Sequence, residues 1–87
     1  MADQPKIVLD EEVLHAVLGM KAAERRHALR VLHQIQHDWW KDDADYLITD
    51  STGRFLKVKA VRPFLVTYWH DGPVDELRIV ALRRVRS

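Results

Sequence analysis

The chain of 87 residues contains no cysteine, which excludes disulfide frameworks, thiolate metal sites and a cysteine nucleophile. No apolar run approaches the roughly 20 residues that a membrane span needs, so no membrane partner is expected. The N-terminal stretch Met1-Ala2-Asp3-Gln4-Pro5-Lys6 lacks the basic and apolar regions of a signal peptide, and a cytoplasmic location is the expectation. An excess of charge of one sign is also missing. The formal net charge is +1, too small for a basic footprint spread over the whole surface. There is no Gly-rich phosphate loop, dinucleotide fingerprint or nucleophilic triad, so no cofactor is expected. Glycine and proline number only three each, so those present act as punctuation.

What is there is enough for a core. The hydrophobic fraction is 47%, and the length is that of one domain, residues 1–87. A domain of this size is marginal on its own and gains stability from a partner. The charges are unevenly placed. Residues 1–43 carry a net −2 and residues 44–87 a net +3, so positive charge collects in the second half.

The pattern predicts an α+β fold. Lys6-Ile7-Val8-Leu9 reads as a first strand. Asp10 is placed to cap a helix beginning at Glu11-Glu12, whose carboxylates suit the positive end of the helix dipole. Val13, Leu14, Val17 and Leu18 form its apolar face, and Gly19 ends it. A second helix spans Ala22 to Asp38, with Ala28, Leu32, Ile35 and Trp39 at spacings of three or four and Leu29 and Val31 widening the stripe. Arg25, Arg26, Arg30, Gln34 and Asp38 are then expected to face water. Strands follow at 45–49, 54–60, 64–69 and 76–82, separated by Asp50-Ser51-Thr52-Gly53, Arg62-Pro63 and Asp71-Gly72-Pro73.

Turn lengths propose a register, and register decides which side chains share a face. A loop at 61–63 pairs Ala60 with Phe64, Val58 with Val66 and Leu56 with Tyr68, giving a core face. Pairing Tyr68 with Leu77 adds Ile79 and Ala81 to it. Lys57, Lys59, Arg78 and Tyr46 are then predicted to gather on the opposite, helix-free face, with Leu65, Val80 and Phe55 nearby.

Three segments carry a family resemblance: Phe55-Leu56-Lys57-Val58-Lys59-Ala60, then Pro63-Phe64-Leu65-Val66-Thr67-Tyr68-Trp69, then Leu77-Arg78-Ile79-Val80-Ala81-Leu82-Arg83-Arg84. A strand with alternating lysines, a strand with an aromatic end and a last strand closing on basic residues, after a strand and a helical hairpin, resemble the RelE/ParE superfamily of toxins from type II toxin–antitoxin modules. The resemblance implies an N-terminal strand and helical hairpin packed on a small antiparallel sheet, and a cognate antitoxin as partner. The RelE-like branch implies ribosome-dependent cleavage of mRNA by a metal-free cationic site, a case in which electrostatic stabilisation carries the chemistry. Lys57 and Lys59 match the strand lysines of that branch, and Arg84, with Arg83, matches the closing basic residue. Arg78, Arg83, Arg86 and Tyr46 are the implied contacts to RNA or another target. The ParE-like branch implies inhibition of DNA gyrase instead, without nuclease chemistry. Two departures bear on the choice: Leu65 stands where the RelE-like pattern has an arginine, and no tyrosine follows Tyr68. A non-toxic, degenerate member is the third alternative.

The remaining residues have competing readings. Alternating lysines also keep an exposed strand soluble. Trp40, Leu65 and Trp69 are candidates for a partner interface, since exposed tryptophan is enriched at binding hot spots, while packing against nearby loops is the structural alternative. His33 and His37 have a metal-compatible spacing but no accompanying acidic residue, so no metal site is expected. His70 is expected in a solvated turn.

Overall fold

The computed structural model describes residues 4–41 and 44–85. Its elements are β1 (Lys6–Leu9), α1 (Glu11–Leu18), α2 (Ala22–Asp38), β2 (Tyr46–Thr49), β3 (Phe55–Val61), β4 (Phe64–Asp71) and β5 (Glu76–Arg84), with short 3-10 turns at Trp39–Lys41 and Gly72–Val74. The five strands form one sheet in the order β1-β5-β4-β3-β2. β2 to β5 are antiparallel neighbours, as expected, and β1 adds parallel to β5 after the helical crossover. Among the described residues, no helix is long and apolar enough to cross a membrane.

The helices form where periodicity placed them, but their faces are narrower than the pattern suggested. In α1, Val13 and Val17 are buried, whereas Leu14 and Leu18 are exposed. In α2, Ala28, Val31, Leu32 and Ile35 are buried and Leu29 lies at the surface. Gly19 caps α1 in a right-handed conformation. Arg25 does much of the capping: its guanidinium donates to the carbonyls of Val17 and Leu18, each at 3.2 Å, and of Met20 at 2.9 Å. It therefore satisfies the orphan carbonyls at the end of α1 and is not the water-facing residue the helical pattern implied. The core joins Val13, Val17, Ala28, Val31, Leu32 and Ile35 to Phe64, Val66, Tyr68, Leu77 and Ile79 of β4 and β5.

The register differs from the expectation by one residue at the β2–β3 and β3–β4 hairpins and by two at Tyr68 in the β4–β5 hairpin. β3 and β4 are joined by Arg62-Pro63 alone, so Val61 pairs with Phe64, Lys59 with Val66 and Lys57 with Tyr68. β2 pairs Tyr46 with Val58 and Leu47 with Lys57. Directly opposed residues lie on the same face. Lys57 and Lys59 consequently stand on the helix side of the sheet with Val66 and Tyr68, while Leu56 and Val58 turn to the helix-free side. In the last hairpin Tyr68 pairs with Ile79 and Thr67 with Ala81, which leaves Val80 as an extra residue in β5. That bulge keeps Ile79 in the core, moves Ala81 out of it and brings Leu82 toward it.

Candidate functional site

Lys57 and Lys59 are two residues apart on one strand, so their Cα atoms lie about 7 Å apart and their side chains share a direction. Both are half-exposed. They lie on the helix side of β3, next to Tyr68 and Val66 of β4. Between α2 and β3 a small cavity of about 70 Å³ opens, lined by Gln34, Ile35, Asp38, Lys59, Val61 and Tyr68. Tyr68 is buried in the core, yet it borders this cavity together with Lys59. Asp38 pairs with Lys41 at 3.3 Å. The arrangement sets two cations and a phenol beside a carboxylate and an amide at the margin of the helical layer; of these, the cations are the groups suited to a phosphate.

The other predicted residues divide. Arg84 shares the helix-side face, opposite Phe64, and is ion-paired to Glu24 of α2. It lies two strands across and two residues along from Lys59, roughly 12 Å at Cα, and borders a separate cavity with Ala23, Glu24, His27, Pro63 and Phe64. Arg84 and the lysines are thus not one cluster. Arg78 and Tyr46 do not join the lysines, because the register puts them on the opposite face: Arg78 is opposite Trp69, and Tyr46 is opposite Val58. Arg78 is tied there to Asp71 at 3.4 Å and Glu76 at 2.9 Å. Arg83 is exposed on that same face, opposite Leu65. Arg86 lies outside the described residues.

The proposed interface residues are likewise distributed. Trp40 is 64% exposed on the 3-10 turn after α2. Trp69 carries the Arg54 guanidinium 4.0 Å from its ring centroid and Arg78 at 5.9 Å. Trp69 and the half-buried Leu65 therefore belong to the helix-free face, with Trp69 stacked on by arginine. Exposed apolar side chains also gather around β2, where Tyr46, Leu47 and Phe55 are 61%, 66% and 74% exposed.

Among the described residues, no group of three His, Cys, Asp or Glu side chains is arranged to hold a metal ion. His33 bonds Gln36 at 3.3 Å and His37 bonds Gln4 at 2.9 Å. His70 is not in a solvated turn. It lies within β4, stacks on Trp39 at 3.9 Å between centroids and bonds Asp75 at 2.8 Å. At the β2–β3 turn, Asp50 accepts from the Thr52 hydroxyl at 2.6 Å, the Thr52 amide at 2.8 Å and the Arg54 amide at 3.0 Å. The Thr52 hydroxyl is the main reason that its carboxyl titrates below the ordinary value of 3.8.

Sequence reasoning missed two participants and misplaced a third. Gln34 and Asp38 were assigned to solvent, although their spacing of four puts them on one side of α2 next to Ile35. Tyr68 was placed on the core face and offered, with Tyr46, as the stand-in for the missing tyrosine, but was not placed beside the lysines. The signal that finds it is its pairing with Lys57, which needs the correct loop length.

No family model matches the chain, and no curated protein matches it. A solved structure does. The chain is similar in fold to a chain of the crystal structure of the archaeal RelE–RelB complex from Pyrococcus horikoshii OT3, with a TM-score of 0.67 and 13% identity, over 94% of this chain and 96% of that one. At that identity the likeness is one of fold. The protein has a RelE-like α+β fold, as the three sequence segments implied.

Proposed function

We propose that this protein is the toxin of a type II toxin–antitoxin pair and acts in the cytoplasm by cleaving mRNA on the ribosome through a metal-free cationic site. The observation that carries this reading is the placement of Lys57 and Lys59 beside Tyr68, on the open margin of a RelE-like fold. The lysine ammonium groups bind and neutralise the scissile phosphate. The 2′-oxygen attacks phosphorus, its proton passes to the Tyr68 oxygen as the phenol hands its own proton to water, and the P–O5′ bond breaks as the 5′-oxygen takes a proton from a lysine, leaving a 2′,3′-cyclic phosphate. Developing charge on the phosphate is stabilised by fixed cations, which is the term such a site supplies best. Tyr68 fits the proton-handling position better than Tyr46, which lies on the other face. Arg84 stands too far from the lysines to share the scissile phosphate and meets a neighbouring phosphate of the same strand once that replaces Glu24 as its partner.

The RelE–RelB complex supports an antitoxin as the natural partner, a segment that covers exposed apolar surface such as Leu14, Leu18 and the β2 margin. The gyrase-directed reading is favoured by two features: Leu65 in place of an arginine, and Arg84 engaged by Glu24. Induced expression, followed by growth and transcript integrity, separates the two. Growth arrest with fragmented transcripts, abolished by Lys57→Ala with Lys59→Ala, is the expected result. Arrest with intact transcripts and inhibited supercoiling selects gyrase, and absence of arrest removes toxicity.

A further inference from the structure

The cavity between α2 and β3 holds more chemistry than phosphate binding requires. Lys59 supplies a cation, and Ile35 and Val61 supply apolar surface. From α2, one turn apart, come an amide, Gln34, and a carboxylate, Asp38. A carboxylate beside a phosphate-binding lysine repels the phosphate unless donors from the protein or the ligand offset it. The Lys41 ammonium, 3.3 Å from Asp38 Oδ1, anchors that carboxylate at the cavity. A volume of about 70 Å³ admits the edge of a planar base and leaves its sugar and phosphate outside.

We infer that Gln34 and Asp38 are the base-reading wall of the site and that the base they select is guanine. The inference rests on reading Lys57 and Lys59 as phosphate ligands. Guanine presents two adjacent N–H donors, N1–H and N2–H, which match the two oxygens of one carboxylate. The Gln34 amide is then the donor for O6. Uracil offers a single N–H between two carbonyl oxygens, and adenine sets an acceptor beside its amino group, so both turn a lone pair toward Asp38. Cytosine offers only its amino group. The apolar walls take the flat face of the ring, and Lys59 meets the phosphate.

The test uses the full chain, ¹⁵N-labelled, titrated separately with 5′-GMP, 5′-AMP, 5′-CMP and 5′-UMP and followed by amide shifts. Shifts are expected at Gln34, Asp38, Lys59 and Tyr68, with GMP bound roughly tenfold or more tightly than UMP. Asp38→Asn removes the GMP advantage and leaves UMP affinity in place, whereas Lys59→Ala weakens all four alike. Gln34→Ala narrows the preference by itself and serves if Asp38→Asn does not fold. Equal affinities in the unmodified protein, shifts confined elsewhere, no binding, or a guanine preference that survives in folded Asp38→Asn overturns the inference. Intact transcripts in cells with the GMP preference retained count against cleavage alone. Fragmented transcripts with a base-blind cavity count against the wall alone.

Discussion

The two halves of the sheet face different environments. β4 and β5 lie under the helices, and Phe64, Val66, Tyr68, Leu77 and Ile79 are almost fully buried there. β2 and β3 extend past the helical layer. The same helix-side face that carries Val66 and Phe64 on β4 carries Lys57 and Lys59 on β3, and then Leu47 on β2. Stability therefore concentrates in one half and ligand-accessible chemistry in the other. A functional surface needs groups that water and ligand can reach, and β3 provides them because α2 stops covering the sheet at the Gln34–Asp38 edge.

The largest expected effect breaks the covered half. Phe64→Ala is expected to cost about 3–5 kcal/mol in urea unfolding. Phe55→Ala, on the open half, is expected to stay within about 0.5 kcal/mol. Comparable losses at both sites would end the division between the halves. The next effect belongs to the open half. Lys57→Ala with Lys59→Ala is expected to lower RNA cleavage roughly 100-fold or more while the thermal midpoint hardly moves. A midpoint that falls with activity would reassign the lysines to structure.

Smaller effects sharpen the boundary. Gly53 closes the β2–β3 turn at φ 86°, so Gly53→Ala is expected to cost about 1–2 kcal/mol, measured by thermal unfolding. The Glu24–Arg84 pair joins α2 to the end of β5 with the arginine largely in solvent, and a double-mutant cycle on it is expected to return no more than about 1 kcal/mol. A larger coupling would make Arg84 a structural strut. The smallest effect is acid dependence at the turn. Asp50 titrates lower in the folded chain than its ordinary value of 3.8. Its contribution is therefore fully present above that value and is lost as pH falls through the lowered one. Asp50→Asn is expected to flatten this part of the acid unfolding curve, and an unchanged curve would remove Asp50 from the linkage.

How legible each region was follows from the same division. On β4, buried side chains alternate strictly through Phe64, Val66 and Tyr68, and the pattern alone assigns them to the core; on β5 it holds for Leu77 and Ile79 and fails at Ala81, beyond the bulge. On β3 the alternation of Leu56, Lys57, Val58 and Lys59 invites the same rule, and there it misleads. Leu56 and Val58 are buried on the helix-free side, outside the main core, while the lysines look toward the helices. Hydrophobic alternation states that two faces differ. It does not state which face the helices cover, and near the sheet margin both are partly sheltered. Arg25 escaped notice for a related reason: its three carbonyl partners lie on the preceding helix and its corner, which come within reach only when the two helices fold back on each other.

The sequence by itself determined the elements. Helical and strand periodicity, the Asp50–Gly53 turn, the Arg62-Pro63 break and the lysine alternation act over a few residues, and each appears in the folded chain where the pattern put it. Only the tertiary structure decided which side chains meet. A two-residue loop in place of a three-residue one moves Lys57 and Lys59 to the helix side. The extra residue Val80 exchanges Ala81 for Leu82 in the core. α2 then brings Gln34 and Asp38 to Lys59. The physical reason is the period of two in a strand: a one-residue change in register inverts every side chain on it, and the free energy that selects between the two registers comes from packing across the whole sheet.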